Sequence, residues 1–145
     1  NEEGFIFYTN YNSEKGKAIE QNPNVCLSFF WHSAERQVII KGIAEKTSEI
    51  ISDNYFDSRP NGSKLGAIVS NQSEVIPSRT FLEENLKKLE AEFDGKPIPR
   101  PENWGGYIVT PLQVEFWQGR PNRLHDRIRY TSQSDFSWKI ERLSS

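Results

Sequence analysis

Two apolar runs separated by a short polar turn constrain this chain more than any other feature. Residues 25–31 read VCLSFFW and residues 37–44 read QVIIKGIA, with residues 32–36 between them and a turn expected around 32–35. Both runs are dense in β-branched and aromatic residues, which suit a pleated, half-buried backbone. A connection this short predicts a hairpin, so antiparallel sheet has to be part of the fold.

The remaining segments supply further strands and short helices. GFIFYT at 4–9 is rich in strand formers and follows a turn-like start. SEKGKAI at 13–19 predicts a short helix with Ser13 as its N-cap, stopping near Asn22-Pro23. Residues 47–58 carry Ile50, Ile51, Tyr55 and Phe56 on about one helical face, and Pro60-Asn61-Gly62-Ser63 breaks that helix and opens another through 64–69. The clearest helical pattern covers 78–93. Leu82, Leu86, Leu89 and Phe93 form its apolar stripe, Thr80 and Glu83 have capping-box spacing, and Asp94-Gly95 ends it. Pro97, Pro99 and Pro101 mark an extended connector. Strands are predicted at 106–109, 113–118 and 123–130, and 138–143 closes the chain. No repeat or low-complexity linker divides the 145 residues. The expectation is one α+β domain, a small barrel or curved antiparallel sheet with helices alongside.

Charge and composition narrow the function. Eighteen Lys and Arg stand against 20 Asp and Glu, for a net charge of -2, and mean hydropathy is -0.71. This balance argues against a nucleic-acid or membrane-surface partner and leaves anion binding to local clusters. No apolar run approaches the ~20 residues of a membrane span, and no signal peptide is visible. The lone Cys26 cannot form an internal disulfide, which makes a cytoplasmic location the expectation. Its neighbours Val25, Leu27 and Phe29 predict a buried structural thiol. A chain with no Met that begins at Asn1 reads as a fragment, a processed chain or the ordered part of a longer protein. With only His32 and His125, and no HxxxH or CxxC spacing, no metal site is predicted. GxSxG, GxGxxG and P-loop patterns are absent as well.

Four segments hold polar groups suited to an anion or a flat ligand, each with an ordinary alternative. The helix start at 13–16 has free N–H groups beside Lys15, a geometry shared by anion sites and by plain capped helices. In NYFDSRPNGSK, Tyr55, Arg59 and Ser63 recur every four residues. On one continuous helix they form either an anion grip or a wet edge. In EFWQG, Trp117 shares a face with Glu115, at a rim or stacked on a flat ligand. In RLHDRIRY, Arg123, His125, Arg127 and Arg129 alternate, so a strand would point all four the same way. That face is a charge-protected strand edge or an anion site, and the segment alone does not choose.

Together, FYTNYNSEKG, NPNVCLSFFW, ERQVIIKG, YFDSRPNGSKLGA, SNQS, WGGY, EFWQG and RLHDR follow the order and spacing of the pyridoxamine 5'-phosphate oxidase family, which the chain resembles from about 4 to 143. The resemblance implies an FMN-binding split β-barrel, a Greek-key antiparallel barrel with flanking helices. It implies a homodimer with FMN at the subunit interface. It also implies oxidation of pyridoxamine 5'-phosphate or pyridoxine 5'-phosphate to pyridoxal 5'-phosphate, with hydride passing to flavin and O2 reduced to H2O2. By the same resemblance Tyr8, Thr9, Lys15, Gln37, Gln72 and Ser73 match FMN contacts, with Lys15 facing the FMN phosphate. Trp117 and Arg127 match flavin contacts from the other subunit. Tyr55, Arg59 and Ser63 match the grip on the substrate phosphate. Arg123 and His125 match active-site residues over the substrate, with Arg123 positioning the pyridine ring, while Arg129 matches no role. Glu14 stands where many members have Arg. The family's upstream Arg-x-x-Leu-x-Lys strand has no counterpart in residues 1–145, so the expected domain is the split barrel without that N-terminal segment. The alternative reading is a non-catalytic FMN- or pyridoxal-phosphate-binding split barrel.

Overall fold

The expected hairpin is present in the computed structural model, which describes residues 3–145. Strand β2 (Asn24–Trp31) pairs antiparallel with β3 (Arg36–Lys46), from Asn24 opposite Ile43 to Trp31 opposite Arg36. The other elements are β1 (Phe5–Asn10), α1 (Glu14–Gln21), α2 (Glu49–Ser58), α3 (Asn61–Val69), α4 (Arg79–Glu92), β4 (Trp104–Gln118), β5 (Asp126–Ser132) and β6 (Trp138–Arg142). The α+β expectation holds. Among the described residues no helix is long and apolar enough to cross a membrane. They form two compact units, one of residues 3–5, 22–45 and 109–145, the other of residues 6–21 and 46–108.

The first unit is built on strands in the order β2-β3-β4-β5-β6. β4 pairs antiparallel with β5 from Gln113 opposite Thr131 to Gln118 opposite Asp126, and β5 with β6 from Ile128 opposite Arg142 to Ser132 opposite Trp138. Gly42 allows a close approach, since a Cβ there would lie 2.2 Å from the Thr110 carbonyl oxygen. Alternation along β2 turns Val25 and Leu27 inward and Cys26 outward. Cys26 is therefore exposed and not the buried thiol that its apolar neighbours predict. The two strands expected at 106–109 and 113–118 are one strand, β4, which continues through Pro111. Proline's fixed φ is compatible with extended backbone, so it need not break a strand.

RLHDRIRY is only partly a strand. Pro121–Arg123 forms a 3-10 turn, with Asn122 and Arg123 both at φ 60, and β5 starts at Asp126. Arg123 and His125 precede the strand, so only Arg127 and Arg129 share a strand face. Left-handed backbone at consecutive non-glycine residues ends the alternation that the sequence pattern assumes.

In the second unit Phe56, Leu65, Ile98 and Trp104 form the buried core. Leu86, Leu89 and Phe93 from the predicted stripe of α4 pack against it. α1 has the expected cap: Ser13 Oγ accepts from Gly16 N–H at 3.1 Å and donates to the Asn10 carbonyl at 2.7 Å. α4 is capped two residues earlier than the Thr80/Glu83 spacing predicts, because Ser78 Oγ accepts from Phe81 N–H at 3.1 Å. α2 and α3 are separate helices. Arg59, preceding Pro60, is extended at φ -77 and ψ 149, since the proline ring disfavours helical backbone at the residue before it. Tyr55, Arg59 and Ser63 consequently do not line one continuous helix. β1 pairs with β4, and just past its end Tyr11 N–H donates to the Asn103 carbonyl at 2.7 Å.

Candidate functional site

The second unit holds a cavity of about 380 Å³ lined by Arg59, Ser63, Gln72, Asn10 and Trp104 among others. Arg59 dominates its electrostatics. The guanidinium carbon lies 4.7 Å from the Trp104 ring centroid and 5.7 Å from that of Phe56, within cation–π range. Its Nη1 is buried and has no hydrogen-bond partner. Arg59 is thus held from one side by rings and left with an unspent donor. Tyr55 stacks on Tyr8 with centroids 3.7 Å apart, and both rings lie nearly parallel to Trp104. Burial first, and the neighbouring Tyr55 second, push the Tyr8 phenol above its ordinary value.

A polar cluster borders the same cavity. Thr9, almost fully buried, donates through Oγ1 to Gln72 Oε1 at 3.0 Å, and Asn10 N–H donates to that oxygen at 3.2 Å. Two donors on its oxygen orient the Gln72 amide and leave its NH2 group available. Ser73 sits at φ 75, and its Oγ accepts from Glu14 N–H at 3.3 Å, at the N-terminus of α1. Lys15 is exposed on the first turn, with Nζ 5.9 Å from the Phe7 ring centroid. Chain folding therefore brings Thr9, Gln72 and Ser73 to the start of the helix that carries Lys15. Trp104 and Asn10 had no role from the sequence. WGGY marked the position of the tryptophan but not the ring's place beneath Arg59.

The first unit holds the other candidates. A cleft of about 370 Å³ is lined by Gln37, Trp117, Arg36, Arg120 and Asp126 among others. Gln37 Nε2 donates to Ser28 Oγ at 3.2 Å. The His125 ring lies 4.9 Å from that of Trp117, and its Nδ1 accepts from Arg120 N–H at 3.1 Å. An accepting Nδ1 makes Nε2 the protonated nitrogen of the neutral ring. Arg123 is exposed on its left-handed turn. Arg127 donates through Nε to Glu115 Oε1 at 2.7 Å and through Nη1 to the Ser144 carbonyl at 3.1 Å. Arg129 pairs with Glu141 at 3.0 Å, while its Nε is buried without a partner. Arg127 and Arg129 of the cationic run are therefore compensated by carboxylates on β4 and β6.

Asp126 accepts from Arg120 at 2.8 Å and from Arg142 at 2.7 Å. These hydrogen bonds, that from Arg120 first, hold its carboxyl below the ordinary carboxylate range. A folded value below the unfolded one gives stability that is present above the ordinary range and is lost as pH falls through the depressed value. An NMR titration of the Asp126 carboxyl carbon is expected to inflect below the ordinary range, and to move back up in Arg120→Ala. An ordinary inflection in the unmodified protein would rule out the double pairing.

The pyridoxamine 5'-phosphate oxidase family model matches residues 1–92, and the model for the pyridoxine 5'-phosphate oxidase C-terminal dimerisation region matches residues 104–145. A pyridoxine/pyridoxamine 5'-phosphate oxidase of Flavobacterium johnsoniae is 94% identical over 144 residues, covering 99% of this chain and 67% of that protein. The one of Flavobacterium psychrophilum is 74% identical over 142 residues, covering 98% and 66%. The chain thus spans about two thirds of the length of these curated relatives. The crystal structure of PhzG from Burkholderia lata in complex with tetrahydrophenazine-1-carboxylic acid superposes with a TM-score of 0.91 at 28% identity, over all of this chain and 70% of that one. With both family models matched along its length, this chain belongs to the pyridoxamine 5'-phosphate oxidase family.

Proposed function

We propose that the protein oxidises pyridoxamine 5'-phosphate or pyridoxine 5'-phosphate to pyridoxal 5'-phosphate with FMN and O2, releasing H2O2, as a cytoplasmic homodimer with FMN at the subunit interface. The observation that carries this reading is Arg59, which lines a cavity together with Ser63 and has its Nη1 buried without a partner. A buried cationic donor without an acceptor is costly, and a phosphate oxygen removes that cost through a charge-assisted bond. Ser63 adds a hydroxyl donor, and Tyr55 closes the aromatic side of the grip.

The residues at the start of α1 suit the FMN phosphate. The helix dipole and the charge on Lys15 attract an anion there, with Ser73, Thr9 and Gln72 as polar neighbours. Gln37, Tyr8, Trp117 and Arg127 are assigned to the flavin, and the exposed Phe29, Phe30, Trp31 and Phe116 suit burial against a second subunit. Bound FMN supplies the two-electron acceptor. Arg123 positions the pyridine ring, and the Nε2–H of His125 donates a hydrogen bond to the substrate. The test is anaerobic mixing of FMN-loaded protein with pyridoxamine 5'-phosphate. Loss of the oxidised flavin absorbance together with pyridoxal 5'-phosphate formation is expected. A flavin that stays bound and oxidised would instead identify a non-catalytic binding protein.

A further inference from the structure

We infer that Arg100 is a positioning residue that sets the aim of Arg59 on the substrate phosphate, acting through Trp104. The inference rests on the reading of Arg59 as a phosphate ligand. Arg100 lies in the proline-rich connector before β4, outside every motif that carried the family resemblance. Its side chain is only 9% exposed. All three of its nitrogens are engaged: Nε donates to Asp53 Oδ1 at 2.6 Å, Nη2 to Glu49 Oε2, and Nη1 to the Trp104 carbonyl at 2.6 Å.

Glu49 and Asp53 are one turn apart on the same face of α2. A single guanidinium therefore ties that face to the first residue of β4. Both anchor points bear on Arg59, which is the C-cap of α2 and rests its guanidinium on the Trp104 ring. If α2 slid along its axis, Arg59 would leave that ring and its place in the cavity lining would shift. Arg100 opposes that slide.

The exposed carboxylates contribute little by charge alone, because solvent screens them. The directional restraint comes from the planar fork, which meets three acceptors at fixed angles in a way that a flexible lysine does not. Burial alone would lower the basicity of Arg100, but its bonds to Asp53 and Glu49 outweigh that and keep it charged.

In the FMN-loaded protein, Arg100→Met is expected to raise the Kd of pyridoxal 5'-phosphate and the KM of pyridoxamine 5'-phosphate about tenfold, with kcat changed less than about twofold. Binding of unphosphorylated pyridoxal should be unaffected, a distinction that general loosening of the fold would not produce. Arg100→Lys is expected to recover only part of the loss. If Arg100→Met does not fold, the double variant Glu49→Gln with Asp53→Asn is decisive. It weakens the anchors at two exposed side chains, leaves the buried guanidinium in place and is expected to raise the same constants. Unchanged affinity for pyridoxal 5'-phosphate in the folded variant overturns the inference. Unchanged affinity in Arg59→Met would instead overturn the assignment of the phosphate ligand itself.

Discussion

Arg59→Met is expected to weaken binding of pyridoxal 5'-phosphate by roughly 10- to 100-fold while leaving the ligand-free protein close to its original stability. The affinity loss follows from removing a charge-assisted contact to phosphate, worth ~1.5–3 kcal/mol where a charged group takes part. The stability expectation follows from two opposing changes. Methionine keeps an unbranched apolar stem against Trp104 and Phe56 but forfeits a cation–π contact worth ~1 kcal/mol. It also removes Nη1, a buried donor that costs ~1–3 kcal/mol while no ligand satisfies it. Calorimetric titration with pyridoxal 5'-phosphate, and thermal unfolding with and without it, would measure both. The ligand-induced rise in Tm should largely disappear. Unaltered affinity would remove Arg59 from the phosphate site.

Phe56→Ala is expected to cost ~3–5 kcal/mol, the range for emptying a large aromatic position in a packed core. Phe56 is fully buried, packs with Leu65, Ile98 and Trp104, and meets the Trp104 ring edge-on at 5.2 Å. For a chain of this length such a loss lowers Tm by about 10 °C. It should also show as a lower urea midpoint, and a shift below ~1 kcal/mol would mean that the cavity collapses or that Phe56 is not central. Because Phe56 also underlies the Arg59 guanidinium, its effect on ligand affinity should not add to that of Arg59→Met, as expected for residues in contact.

Local patterns carried as far as local physics reaches. The β2–β3 hairpin, the Ser13 cap and the apolar stripe of α4 depend on residues close in sequence, whose spacing states which face is buried or which N–H is capped. The motif series likewise named candidate residues along the whole chain. Patterns misled where a second element or the local backbone overrode them. The strands expected at 106–109 and 113–118 are one, β4, and Thr80 had capping spacing although Ser78 makes the bond. Arg123 and His125 fitted a strand alternation that the left-handed turn at Asn122 and Arg123 cancels.

By itself, the sequence determined most element types and the family, and it named candidates for meeting a phosphate or a flavin. It did so because periodicity, capping and motif spacing are written in neighbouring positions. Only the tertiary structure decided which partners those residues acquire. Glu115 and Glu141 reach Arg127 and Arg129 through strand pairing across β4, β5 and β6. Gln72 meets Thr9 across 63 positions. Arg59 lies over a ring 45 positions away in the sequence, with one donor left unspent, and Arg100 braces both through Glu49, Asp53 and the Trp104 carbonyl. Charge and hydrogen-bonding capacity belong to each residue, but their satisfaction is a property of packing, which leaves Arg59 a spare donor and gives Arg100 three acceptors.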